Sequence, residues 1–243
     1  MILVELHWHA TGQWLIGSPL LGVTLTVAAY ALGRWVFART HGNDFAQPVL
    51  VAVVLVSAAL LLLHISYSDY LRGASLVSFL LGPATVTLAL PLHQEWERVR
   101  RSVLPVLVGV TAGALTSVAT AVVVTGLLGG DARLQRTMAA KAATTPVSIA
   151  LSAQLGGIPS LTAVVTILAG ITGAVLGPWL LSRLGVHDEV ARGLAIGAAS
   201  HGIGTARALD EGRTEGAFSG LSMALTALAT SLVVPWLVPL LLR

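Results

Sequence analysis

The sequence predicts an all-α, polytopic membrane bundle, and three observations carry that prediction. Only 10% of its 243 residues are charged and the mean hydropathy is +0.84, whereas about 25% of a soluble domain is charged. Five charge-free runs stand out, Leu6 to Gly33, Phe45 to Ser68, Gly73 to Gln94, Ser102 to Gly130 and Gly216 to Leu242. Each exceeds the roughly 20 residues that a helix needs to cross a bilayer. A sixth run, Ala142 to Ser182, is too long for one crossing and must turn, and Gly156-Gly-Ile-Pro159 supplies the breaker residues.

Taken in order, these runs give up to eight helical segments, approximately 14–37, 48–66, 74–93, 103–128, 134–155, 160–182, 190–208 and 216–242. The third carries Gly82-Pro83 near its middle and Pro91 near its end, and the fifth carries Pro146 behind two threonines. The seventh has a short apolar core. Between Arg192 and Arg207 it holds a charge-free stretch, Gly193 to Ala206, rich in Gly, Ala, Ser and Thr. The last opens on Glu215-Gly-Ala-Phe218, where a glutamate suits the helix dipole. Proline frees a carbonyl one turn back, and hydrocarbon tolerates such a group only where it faces protein or a water-filled cavity. Three broken segments in one bundle therefore point to a binding site of transporter type. Connections are short, so residues 1–243 form a single membrane domain.

A shift of 115 lays Gly82 on Gly197, Ala84 on Ala199, Thr85 on Ser200 and Arg98 on Arg213, a weak internal repeat of about 14–128 on 134–243. With eight full crossings, Lys and Arg fall almost equally on the two sides, so the positive-inside rule chooses no orientation. A fifth or seventh segment that enters and leaves on one face would explain this.

The composition excludes several functions. There are no cysteines, hence no disulfide, thiol catalysis or thiolate metal site. Met1-Ile-Leu-Val-Glu5 lacks the basic n-region of a secretory signal. The net charge of +3 sits on loop-end arginines such as Arg98, Arg100 and Arg101, which fits membrane anchoring rather than nucleic-acid binding. His7, His9 and His187-Asp-Glu189 are too sparse for a metal site, and no nucleophile–base set is visible. The expectation is a non-enzyme without cofactors.

Three strings carry candidate chemistry. In Ser200-His-Gly-Ile-Gly-Thr-Ala-Arg207, Gly202 and Gly204 allow close backbone approach, Ser200 and Thr205 offer hydroxyls, His201 titrates near neutral pH and Arg207 suits a carboxylate. In Lys141-Ala-Ala-Thr-Thr-Pro146, a half-helix starting after Thr144 and Thr145 presents free N–H groups to an anion, with Pro146 in its first turn and Lys141 one turn before. Gly82-Pro-Ala-Thr-Val-Thr87 adds hydroxyls and freed carbonyls without charge, through Pro83 and Thr85. Glu211 and Glu215 read as solvated loop residues.

Lys141 to Pro146, Gly156 to Pro159, Ala191-Arg-Gly-Leu-Ala195, Ala199 to Arg207 and Glu215-Gly-Ala-Phe-Ser219 together resemble the LrgB/CidB family, in order from about residue 47 to the C-terminus. That family includes bacterial proteins named as antiholin-like regulators of murein hydrolase export. It also includes the C-terminal half of the plastid glycolate/glycerate transporter and bacterial members linked to pyruvate uptake. The resemblance implies a multi-pass protein of the bacterial inner membrane. It further implies a small LrgA/CidA-type membrane partner and a small 2-hydroxy or 2-oxo monocarboxylate anion as substrate. The sequence is therefore read as a transporter of such acids, proton-coupled through His201, moving by alternating access, with a homodimer expected by analogy with elevator-type carriers. The alternative is an antiholin-like regulator acting through helix–helix contacts, which its many small residues would suit.

Overall fold

The computed structural model describes residues 18–40, 46–87 and 89–242; His7 and His9 lie outside them. Among the described residues the secondary structure is entirely helical, in twelve helices. Four are long and apolar enough to cross a membrane, or five if one bent pair counts as a single span. The chain is an integral membrane protein, with fewer full-length spans than the seven or eight segments read from hydropathy. It divides into two compact units, one ending at Thr87 and the other beginning at residue 88.

In the first unit α1 (Pro19–Arg39) is a candidate span whose first turn is capped by Ser18, the hydroxyl accepting from the Leu21 N–H at 3.3 Å. α2 (Pro48–Leu62) and α3 (Tyr67–Gly73) meet at a bend of 120°. His64 makes the bend at φ 53°, a conformation non-glycine residues rarely adopt. The Thr26 and Tyr70 hydroxyls, 2.8 Å apart, tie α3 back to α1. α4 (Ser75–Thr87) takes Pro83 into its interior without ending, so the break expected at Gly82-Pro83 is not a break in the helix.

In the second unit α5 (Ala89–Gln94) and α6 (Trp96–Arg101) lead into three candidate spans, α7 (Val103–Leu127), α10 (Pro159–Arg183) and α12 (Arg213–Leu241). Two apolar clusters mark their directions. At one end Val106 and Val110 of α7 pack with Phe218 of α12, beside Val190 and Leu194. At the other end Val118 and Val122 of α7 pack with Val234 and Val238 of α12, beside Ala139 and Leu155. So α7 and α12 run in the same direction. α10 runs the other way: its start touches Thr137, and Ser182 near its end receives a bond from Arg192.

The remaining helices do not cross. α8 (Ala132–Ala139) and α9 (Thr145–Gln154) flank the non-helical Lys141–Thr144 region. The chain then returns to where it left, since the Ile158 N–H donates to the Thr137 hydroxyl at 2.9 Å. α11 (Glu189–Glu211) doubles back at His201, whose backbone has φ 39° and ψ −133°. A Cβ on Gly204 would stand 3.1 Å from the Ile196 carbonyl oxygen. In a straight helix those residues, eight apart, lie about 12 Å apart along the axis. The same folding back brings Arg192 near its start to 3.9 Å from Glu211 at its end.

The fifth and seventh segments are thus two re-entrant hairpins, entering from opposite ends of the unit and each followed by a full span. The folding also gathers Arg98, Arg183, Arg192, Arg207 and Arg213 at one end, while Arg133 and Arg136 sit at the other. Counting the hairpins as crossings hides that asymmetry.

Candidate functional site

The two hairpin tips converge on one cavity. It has a volume of about 710 Å³ and lies between α7 and the first arm of α11. Pro105, Gly109, Ala112 and Gly113 form one wall, and Ala191, Leu194, Ala195, Ala198 and Ala199 the other. Lys141, from the first hairpin's tip, is the one charged residue in the lining, and Thr116 and Ser117 add the hydroxyls. Among the described residues no hydrogen bond or ion pair engages the Lys141 ammonium. An ammonium at membrane depth without a partner is costly, so such residues are kept where an anion or water meets them.

The first tip is open because its helices stop short. α9 begins at Thr145, with Thr144 as a cap residue whose side chain makes no capping bond and Pro146 in the first turn. The backbone carbonyls freed at the turn are recovered by Ser148, whose hydroxyl lies 2.7 Å from the Ala140 oxygen and 3.0 Å from that of Ala143. Thr162 joins this hairpin to α10, 3.0 Å from the Thr137 carbonyl and 2.7 Å from the Ser152 hydroxyl.

The second tip is closed on itself. His201 is buried, with Nε2 3.0 Å from the Thr166 carbonyl of α10. A carbonyl only accepts, so Nε2 carries the hydrogen. Thr205 donates to the His201 carbonyl at 2.9 Å and lies 3.0 Å from the Ser219 hydroxyl. Ser200 is fully buried and its hydroxyl has no protein partner among the described residues. It sits where any side chain on Gly173 of α10 would overlap it.

The residues singled out from the sequence therefore separate into groups. Lys141 lines the cavity directly, and Ser200 and His201 follow the lining residue Ala199. Thr144, Thr145 and Pro146 belong to the first tip, while Gly204 and Thr205 serve the hairpin's packing and Gly202 is exposed. Arg207 lies at the open end of the second hairpin, 2.5 Å from Glu211, rather than at the tip. Pro83 is exposed on α4 of the first unit, and Thr85 belongs to the same helix.

Glu215 corrects a further expectation, because it is 4% exposed rather than solvated. Its Oε2 accepts from Nε of the buried Arg192 at 3.3 Å, and Arg192 also donates to Ser182 and the Val186 carbonyl. No spacing in the sequence pairs residues 192 and 215. Only the folding back of α11 puts them side by side.

The fold and site define a class, an integral membrane protein with paired re-entrant hairpins beside a cavity that has one lysine in its lining. The chain belongs to the LrgB-like family, whose model matches residues 26–240. It is 37% identical over 216 residues to the uncharacterized protein YxaC of Bacillus subtilis, covering 89% of this chain and 94% of that one. It is 30% identical over 223 residues to the antiholin-like protein LrgB of the same organism, covering 92% and 96%. Against the antiholin-like protein LrgB of Bacillus mycoides it is 28% identical over 222 residues, covering 91% and 96%. No solved structure matches the chain.

Proposed function

We propose that the chain is an antiholin-like regulator of murein hydrolase export, non-enzymatic, residing in a bacterial inner membrane and working through helix–helix contacts. The observation that carries this reading is the name borne by relatives that align along more than nine tenths of its length. The resemblance adds a small LrgA/CidA-type partner. The test is deletion and complementation of the gene in its host, reading extracellular murein hydrolase activity and lysis rate. Faster lysis on deletion, reversed by the gene, is expected; unchanged hydrolase release would sink this reading.

A second reading is favoured by one specific observation, the cavity with its partnerless lysine between two broken-helix tips. It is alternating-access transport of a monocarboxylate, glycolate, glycerate, pyruvate or lactate in class, with Lys141 balancing the charge. Thr144, Thr145, Ser200 and His201 would stand near the substrate, and His201 would couple it to protons. A homodimer would supply the fixed scaffold of an elevator motion. Saturable uptake of labelled glycolate or pyruvate into proteoliposomes, lost in Lys141→Gln, is the expected result. Absence of uptake by folded protein, alone and with the small partner, would leave the first reading standing by itself.

A further inference from the structure

The cavity is larger than the acids named above require. A water molecule claims about 30 Å³ of liquid volume. The 710 Å³ belongs to a groove open along one side, with Pro105, Gly109, Ala112, Ala191 and Ala195 exposed, and at that share the six heavy atoms of a three-carbon keto acid occupy only a small part of it. The distribution of lining groups is equally informative. The charge is at one place, Lys141, with Thr116 and Ser117 on the neighbouring wall, and the remainder is Pro, Gly, Ala and Leu. Those polar residues come from the middle of α7 and the first tip, whereas Pro105, Ala191 and Leu194 lie toward the arginine-rich end. The cavity therefore has a polar inner end and an apolar body.

We propose that this site takes an amphipathic monoanion, a carboxylic acid with a hydrocarbon body of about five to ten carbons, its carboxylate on Lys141 and its chain between the Gly109 wall and the Leu194 wall. This rests on the second reading above only in placing an anion at Lys141. It changes the size and polarity of the expected occupant. The carboxylate would supply the ammonium with the partner the protein withholds. The hydrocarbon would cover walls built from small residues, which leave the room that larger side chains would fill.

The measurement is equilibrium binding to the purified protein in lipid nanodiscs, by titration calorimetry, with propionate, butyrate, hexanoate and pyruvate as probes and hexanamide as the neutral control. Empty nanodiscs subtract partition into lipid. Affinity is expected to tighten about threefold to fourfold for each methylene added up to hexanoate. Hexanamide binding to the parent and hexanoate binding to the Lys141→Gln variant should each be at least tenfold weaker than hexanoate binding to the parent. A Cβ on Gly109 would meet no neighbouring atom within 4 Å, so the side chain of Gly109→Leu starts into open space on the apolar side of the groove. It should cost hexanoate tenfold or more while leaving propionate within twofold. Affinities that are flat with chain length, a preference for pyruvate, or binding indifferent to both substitutions would each overturn the proposal. Because binding is read without transport, tight hexanoate binding alongside absent uptake would sink the transport reading and spare the site.

Discussion

The two hairpins of the second unit solve one problem, reversing a chain inside a membrane, in different ways. The second reverses at a single residue, His201, and then ties that residue down: its ring bonds to the Thr166 carbonyl, its own carbonyl accepts from Thr205, and its open end is clamped by Arg192 and Glu215. The first reverses over the non-helical stretch ahead of Thr145, recovers two carbonyls through Ser148, and leaves Lys141 without a protein partner among the described residues. The difference teaches where stability and function divide. A tip whose reversing residue is held through both its ring and its carbonyl is a structural element, and one that withholds a partner from its charge is suited to receiving a ligand.

Substitutions at five positions would break or sharpen that contrast, each read as unfolding free energy in a mixed-micelle denaturant titration. The largest effect is expected for Arg192→Met. It strands the buried Glu215 carboxylate and should destabilise by about 3–5 kcal/mol, the range for breaking one side of a buried pair. A loss under about 1 kcal/mol, the scale of an exposed pair, would show that the clamp does not hold the second hairpin.

His201→Val comes next. It removes the bond to Thr166 and forces a β-branched residue into φ 39°, so a cost of about 3 kcal/mol is expected. His201→Gly loses the same bond but relieves the backbone, and it should be the milder change by about 1–2 kcal/mol. Equal losses for the two would mean that the backbone there is not strained.

Gly197→Ala should cost about 1–3 kcal/mol, because its methyl would overlap the Ser219 carbonyl. Gly177→Ala is its matched control, since a Cβ there meets Ile196 at an ordinary 3.7 Å and should change stability by less than about 0.5 kcal/mol. The antiholin-like reading and the transport reading both depend on this packing, so Gly197→Ala impairs either one. The smallest stability effect, within about 0.5 kcal/mol of the parent, is expected for Lys141→Gln, which breaks no bond. A large destabilisation by Lys141→Gln would make the lysine structural and remove the contrast.

Much of this was legible in the sequence, for reasons that are local. Hydrocarbon demands long apolar stretches, so scarcity of charge alone marked the chain as a membrane protein. The tips were legible too, because breaking a helix takes particular residues: Pro146 after paired threonines, and glycines at 202 and 204 beside a histidine. The second break itself falls on His201 rather than on a glycine, which no propensity would choose. That strain persists because bonds from two other places in the fold hold the residue.

What tertiary structure alone decided is where each broken segment goes after it breaks. Whether a chain continues or returns depends on which neighbour buries its next turn, and hydropathy is the same in both cases. Residues 134–155 and 190–208 satisfy the same composition as crossings or as hairpins, so the number of spans and the clustering of arginines at one end could not be read in advance. Pairing is equally non-local: Arg192 meets Glu215 across 23 residues, and Lys141 meets the Gly109–Thr116 wall of α7 only because both hairpin tips reach the middle of the unit. The sequence by itself determined the solvent in which this chain folds and the residues at which it bends. The fold determined that Arg192 and Glu215 neutralise one another and that Lys141 lines a cavity without such a partner among the described residues.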